Sequence, residues 1–245
     1  MLRKFVRTLK KLPFDFGQYE LRHTTKGKSI AFGLVGPGEG KKALDVGCRD
    51  GYWSEKLKSK GYEVTAIDIE PHYAGAFTVD ANAALPFADD AFDLIWCSEV
   101  IEHLRNPAFT IREFKRVLQP GGSLVMTTPN HDLWVFRAIE AVGISMSQLE
   151  NETHTCFFRY SDIRSLVGNS EFYGYFPYLL MKFRISAAAP WLSPTIVSRH
   201  LNDKQITTTE MPEGVMNSTL PSSAAPSAWV RHGRDPLPPK PWQAQ

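Results

Sequence analysis

From about residue 41, short apolar runs alternate with longer mixed stretches. Ala43 to Val46, Val64 to Ile67, Phe92 to Cys97 and Ser123 to Thr127 are four to six residues long and mostly apolar, which suits buried strands. Helix-compatible stretches lie near residues 52 to 60 and 107 to 118. Strand and helix in alternation predict βαβ units, and hence a parallel sheet with helices on both faces. Gly121-Gly122 is expected to set the last of these strands off from the helix before it. Phe172 to Ile185 is rich in Phe, Tyr and Leu and interrupted at Gly174 and Pro177, so it predicts two late strands.

The two ends of the chain read differently. Leu2, Phe5, Val6, Leu9 and Leu12 recur at helical spacing with Arg3, Lys4, Arg7, Lys10 and Lys11 between them, predicting an amphipathic helix over 2 to 12 that stops before Pro13. Such a helix either packs on its own domain or lies on an anionic membrane, where each basic residue contributes ~1 kcal/mol. A mitochondrial presequence fits less well, because the segment is basic and acid-poor but lacks serines. Residues 187 to 245 hold nine of the seventeen prolines, and Ser, Thr, Pro and Ala dominate the last forty. A disordered tail is expected there, since so little apolar surface cannot offset the entropy of ordering. Trp191, Trp229 and Trp242 stand in that region without naming a partner. The expected organisation is a helix and cap over 1 to 40, one domain over 41 to 200, and the tail over 201 to 245.

Composition narrows the setting. Hydrophobic content of 43% and charged content of 22% are ordinary for a folded globular chain and exclude wholesale disorder. Cys48, Cys97 and Cys156 are odd in number, far apart and without C-x-x-C spacing, so neither a disulfide framework nor a metal site is expected. No apolar run approaches the ~20 residues of a membrane span, and no secretory leader opens the chain. The expected location is cytoplasmic, with optional peripheral contact at the inner membrane face. The net charge of +2 owes its sign to the five basic residues before Asp15, so no extended nucleic-acid-binding face is expected.

The candidate chemistry starts at Ala43-Leu44-Asp45-Val46-Gly47-Cys48-Arg49-Asp50-Gly51, where an apolar strand runs into a glycine-bearing turn and then into helix-compatible sequence from Tyr52. Such a turn brings backbone N–H groups and a helix N-terminus to a ligand, and a residue without Cβ lets the ligand approach the main chain. About twenty residues after Gly47, the run Val64 to Ile67 ends in Asp68, where an acid can accept both hydroxyls of a ribose. Up to this point a nicotinamide dinucleotide fits nearly as well as other nucleosides, and a helix-capping role fits Asp68.

Further blocks follow in order: Asp80-Ala81, Leu85-Pro86-Phe87, Asp90 to Ile95, Glu99-Val100-Ile101-Glu102-His103-Leu104, and Arg116-Val117-Leu118-Gln119-Pro120-Gly121-Gly122. Over about residues 41 to 130 the chain closely resembles class I S-adenosylmethionine-dependent methyltransferases, in the branch with quinone-biosynthesis and sugar or small-metabolite enzymes. The resemblance implies a doubly wound, mostly parallel, seven-stranded Rossmann-like sheet that binds S-adenosylmethionine and releases S-adenosylhomocysteine. It implies that Asp45, Gly47, Cys48 and Gly51 face the methionine part, Asp68 the ribose, and Asp80 the adenine amino group. It further implies that Ile69 and Ala81 line the adenine faces while Cys97 and Ser98 lie beside the methyl group. Asp80 and Asp93 also fit turn caps. Arg49 departs from the family, which commonly has glycine there; an arginine at φ > 0 carries ~1 kcal/mol or more of strain. Two readings stand for its side chain: a contact to the cofactor's carboxylate, or exposure to solvent on an altered loop.

Methyl transfer needs alignment above all, and a hydroxyl acceptor gains from a base. His154, ahead of the aromatic segment Phe157-Phe158-Arg159-Tyr160, and His131, after Thr127-Thr128-Pro129-Asn130, are the candidate catalytic residues. An orienting or exposed imidazole fits either. Glu102-His103 is expected to orient the helix after the fourth strand, and Tyr19 and Arg22 lie where relatives close over the cofactor. The expected reaction is methylation of a hydroxyl on a small-molecule, sugar or lipid-linked acceptor. N- or C-methylation, or a non-catalytic cofactor-binding module, are the competing readings, and a nicotinamide-dependent oxidoreductase is the fold-level competitor.

Overall fold

The computed structural model describes residues 25–134, 155–176, 184–186 and 189–204. The expected helix over 2 to 12, the segment after 204, and Tyr19, Arg22 and His154 lie outside the described residues. The described elements are α1 (Lys26–Leu34), β1 (Lys42–Val46), α2 (Tyr52–Ser59), β2 (Glu63–Asp68), β3 (Phe77–Thr78), β4 (Phe92–Ser98), a 3₁₀ turn (Ile101–His103), α3 (Pro107–Val117), β5 (Leu118–Pro129), α4 (Tyr160–Val167), β6 (Ser170–Tyr175), β7 (Arg184–Ile185), α5 (Ala189–Leu192) and β8 (Thr195–Leu201).

The strands form one sheet in the order β3-β2-β1-β4-β5-β8-β6-β7. The first five are parallel, while β8 runs antiparallel to β5 and to β6. This is the expected doubly wound, mostly parallel arrangement, with eight strands in place of seven. The additional strand is β7, two residues pairing antiparallel with β6 at the far edge.

Alternation along the central strands divides the core between the two faces. Leu44, Val46, Ile67, Ile95, Cys97, Leu124 and Met126 are buried with Ile111, Phe114 and Val117 of α3 and Ile163 and Val167 of α4. Ala43, Leu94, Trp96, Val125 and Val197 are buried on the other face with Ile30 and Ala31 of α1 and Leu57 of α2. Local signals fix the helix starts. Thr25 caps α1 by accepting from the Lys28 N–H at 3.3 Å. Asn106 caps α3 by accepting from the Phe109 N–H at 3.1 Å, with Pro107 in the first turn, where its missing N–H costs nothing.

Gly121-Gly122 does not separate a helix from a strand as expected. It lies inside β5, which follows α3 directly and runs twelve residues. Gly121 takes φ 75°, and the register against β4 shifts between Phe92 and Leu94. The glycines stay paired through Asn202, whose N–H donates to the Gly122 carbonyl and whose carbonyl accepts from the Gly121 N–H, both at 2.9 Å. The fold's contacts therefore continue past residue 200. Asn202 Nδ2 donates to the Leu118 carbonyl at 2.6 Å, and Lys204 Nζ pairs with Asp90 Oδ1 at 2.7 Å.

Candidate functional site

The carboxyl ends of β1, β2, β4 and β5 lie side by side along one edge of the sheet, the edge where parallel α/β folds bind ligands. Leaving β1, the chain turns sharply. The Gly47 and Cys48 N–H groups both donate to the Ile67 carbonyl, at 2.8 and 3.1 Å, and the Gly51 N–H donates to the Cys48 carbonyl at 2.8 Å. Gly47 and Gly51 take φ 73° and 80°, left-handed values that suit glycine. Space demands glycine at both positions as well: a Cβ on Gly47 would collide with Val100, and one on Gly51 with the Tyr73 ring.

Arg49 adopts φ 49°, so the turn does require a left-handed residue where the arginine stands. Its N–H donates to Asp68 Oδ2 at 2.9 Å, and the Glu70 N–H donates to Asp68 Oδ1 at 2.9 Å. Two main-chain donors thus orient the acid at the end of β2, while the Arg49 side chain is exposed. Next to it Ile69 is 60% exposed, a large apolar side chain open to solvent beside an oriented carboxylate. That pairing suits a nucleoside, whose ribose needs an acceptor and whose base needs an apolar face.

Asp45 sits behind the turn and is 1% exposed. Its Oδ2 accepts from the Ser54 hydroxyl of α2 at 2.5 Å. Burial pushes its carboxyl up to about 7, against the Ser54 hydrogen bond, and the Asp68 and Asp50 carboxylates add to the rise. The Lys28 ammonium of α1 acts the other way and most weakly. Asp80 is satisfied locally, accepting from the Asn82 N–H at 2.9 Å and from Asn82 Nδ2 at 2.8 Å, and these bonds lower its pKa. That is the geometry of a turn cap. Its neighbour Ala81 is buried. Asp93 serves the opposite edge of the sheet, where its Oδ2 accepts from the Lys42 N–H at 2.8 Å.

At the ends of β4 and β5, Cys97 is fully buried among the core side chains, and burial pushes its thiol up. Ser98 lies within 2.9 Å of the Thr127 hydroxyl, which donates to Glu99 Oε1 at 2.8 Å. Glu99 itself takes φ 56°. Glu102, expected only to orient a helix, is buried at this same edge, where its Oε2 accepts from the Thr128 hydroxyl at 3.0 Å. Burial, and then the Glu99 carboxylate, hold Glu102 well above the ordinary glutamate range. Its carbonyl also accepts from the Thr155 and Cys156 N–H groups at 3.0 Å each, which ties down the chain entering α4. His131 follows β5; its N–H donates to the Phe158 carbonyl at 3.0 Å, and its ring meets Phe157 edge-on at 4.9 Å.

The structure thus gathers Asp45, Gly47, Cys48, Arg49, Gly51, Asp68 and Ile69 around one turn, with Ser98 and His131 farther along the same edge. Sequence reasoning named Glu99, Thr127 and Thr128 within its blocks without giving them a role, and did not single out Lys28 or Tyr73. Glu99 and Glu102 carried a visible signal in their three-residue spacing; Tyr73 carried none.

A family model described as a methyltransferase domain matches residues 20–174, well over half of the chain. The chain belongs to the class I S-adenosylmethionine-dependent methyltransferases. Its cofactor is accordingly S-adenosylmethionine. It is 32% identical over 101 residues to a malonyl-[acyl-carrier protein] O-methyltransferase of Erwinia pyrifoliae, covering 38% of this chain and 38% of the relative. It is 33% identical over 118 residues to a ubiquinone biosynthesis O-methyltransferase of Xanthomonas oryzae, covering 42% of this chain and 49% of the relative. The matched region thus spans less than half the length of these two curated relatives. A crystal structure of a SAM-dependent methyltransferase from Archaeoglobus fulgidus superposes with a TM-score of 0.54 at 15% identity, covering 74% of this chain and 97% of the other, a likeness of fold. Among the described residues, no helix is long and apolar enough to cross a membrane.

Proposed function

We propose that the protein transfers the methyl group of S-adenosylmethionine to a hydroxyl of a small-molecule, sugar or lipid-linked acceptor. The observation that carries this reading is the Asp68 carboxylate, held by the Arg49 and Glu70 N–H groups beside exposed Ile69. In this assignment Asp68 accepts the ribose hydroxyls and Ile69 supports one face of the adenine. Asp80 and Ala81 border the adenine, and Asp45, Gly47, Cys48 and Gly51 form the wall facing the methionine part. The exposed Arg49 side chain is assigned to the cofactor's carboxylate, and Cys97 and Ser98, at the end of β4, to the side of the methyl group.

When bound, the cofactor would supply a methyl carbon activated for displacement by the acceptor oxygen, with the sulfur as leaving group. The chain's contribution is alignment, together with a site for the hydroxyl proton. His131, on the loop after β5 and steadied by Phe157, takes that proton in this assignment. His154, the first candidate from sequence, lies outside the described residues.

The O-methyltransferase names of the two relatives support an oxygen acceptor over nitrogen or carbon. The basic amphipathic segment over 2 to 12 favours a lipid-linked acceptor met by a cytoplasmic protein at the membrane face. Transfer of a labelled methyl group to hydroxyl acceptors of the three classes tests the reaction, and His131→Ala should lower kcat about 10²-fold with cofactor affinity unchanged. Label found on nitrogen or carbon, or tight cofactor binding without transfer to any acceptor, overturns the reading. Removing residues 1 to 12 should abolish binding to anionic vesicles; unchanged binding eliminates the membrane contact.

A further inference from the structure

The loop after β2 is fastened to the turn after β1. The His72 N–H donates to the Arg49 carbonyl at 2.8 Å, and the Arg49 N–H donates to Asp68 Oδ2 at 2.9 Å. Both main-chain groups of this left-handed residue are therefore committed, one to the acid that ends β2 and one to the loop just beyond it. Beside His72, Tyr73 lays its ring where a Cβ on Gly51 would stand and packs on the small side chains of Cys48, Ala66 and Ala76. Its hydroxyl reaches α2, donating to Glu55 Oε1 and accepting from Lys58 Nζ at 2.6 Å.

Both ends of the tyrosine are in use. Glu55 and Lys58 pair with each other at 3.0 Å on the solvent side of α2, where an ion pair alone stabilises little. Their effect is on the ring. Held from two sides at its hydroxyl, the ring stays against Gly51, the residue that starts α2, and its chain neighbour His72 keeps its N–H on Arg49. A side chain without that anchor would let the loop lift from the turn, and the Arg49 peptide groups would lose one of their two fixed partners.

We propose that Tyr73 is a positioning residue for the cofactor. By pinning the loop to Gly51 and, through His72, to the Arg49 carbonyl, it keeps the Arg49 N–H on Asp68 and so aims that carboxylate at the ribose hydroxyls. Tyr73 acts through residue 49 and the acid, so its influence is confined to one end of the ligand. The proposal rests on the assignment of Asp68 to the ribose. A carboxylate aimed at two hydroxyls distinguishes a ribose from its 2′-deoxy form by about tenfold or more, since one hydrogen bond to a charged group is lost. A carboxylate free to turn distinguishes them less.

Calorimetric titration of S-adenosylhomocysteine and of its 2′-deoxy analogue tests this with wild type, Asp68→Asn, Tyr73→Phe and Tyr73→Leu. Wild type should prefer the ribose form by about tenfold, and Asp68→Asn should reduce that preference to about threefold or less. Tyr73→Leu, which removes both the flat ring and the hydroxyl, should weaken the ribose form about tenfold and the deoxy form much less, so that the preference falls in the same way. Tyr73→Phe keeps the ring over Gly51 and should recover part of the loss. It also keeps the test open if Tyr73→Leu does not fold. Tyrosine variants that retain the full preference, or that weaken both ligands by the same factor, overturn the proposal and reduce Tyr73 to a structural contact. A wild type that binds both ligands equally, or an Asp68→Asn that keeps the preference, overturns the ribose assignment of Asp68 instead, and the proposal with it.

Discussion

Gly51→Ala perturbs two things at once, and the structure allows them to be separated. Gly51 sits at φ 80°, ψ 9°, where an alanine costs roughly 1–2 kcal/mol. The new Cβ would also overlap the Tyr73 ring. That ring cannot swing away easily: its hydroxyl is held by Glu55 and by Lys58 Nζ, the latter at 2.6 Å, and it packs on the cluster of Cys48, Ala66 and Ala76. Forcing a methyl group into such a contact costs about 1–3 kcal/mol more, for a total of roughly 2–5 kcal/mol. Gly40 supplies the reference for the backbone contribution alone, since it has φ 82° and nothing within 4 Å of its Cβ position. Gly40→Ala should cost only the 1–2 kcal/mol of the conformation. Tyr73→Ala removes the obstacle, so in urea unfolding the double variant Gly51→Ala/Tyr73→Ala should be more stable than the sum of its parts by about 1–3 kcal/mol. Additivity within about 0.5 kcal/mol, or a Gly51→Ala cost no larger than that of Gly40→Ala, would refute the close contact as the reason for glycine at 51.

Two further outcomes follow from the same turn. Arg49→Gly should stabilise the protein by about 1 kcal/mol, because the left-handed residue keeps its N–H to Asp68 and sheds the cost of its Cβ; chemical denaturation showing equal or lower stability would remove strain as a property of residue 49. Asp45 is raised in the folded protein from 3.8 to about 7, so the folded state holds its proton more tightly than the unfolded one. Stability from this group is complete below about pH 3.8 and is lost as pH rises through 7. Across three pK units the loss is of the order of 4 kcal/mol, so Asp45→Asn should gain on wild type by up to that amount between pH 4 and pH 8. A stability difference that stays flat over that range speaks against a buried, proton-holding carboxyl.

Much of the sheet was legible because β1 and β4 are buried on both faces, and β2 at Ala66 and Ile67, so that they write themselves as apolar runs. β8 was not, although Ile196, Val197 and Ser198 are buried at its centre. It follows Pro190 and Pro194 and carries Arg199 and His200, so locally it looks like the start of the tail. Its strand character comes from β5 and β6, which flank it along its length. Gly121-Gly122 misled for a related reason: the pairing to Asn202 that keeps the glycines in the ladder crosses some eighty residues. In the site, Gly47, Gly51 and Asp68 were visible because a turn and a strand end are local events. The contacts of Tyr73 with Glu55, of Ser98 with Thr127 and of Thr128 with Glu102 join residues 18, 29 and 26 apart, and no local pattern encodes them.

The hold on Asp68 has a consequence for how this turn can vary. What residue 49 gives the acid is its amide, a group that every amino acid except proline carries. The architecture therefore specifies a backbone shape at this position and leaves the choice of side chain to other demands, at a modest energetic toll for anything larger than glycine. Residue 49 is a place where a lineage can change the chemistry presented at the rim of this turn while the Asp68 carboxylate stays where it is.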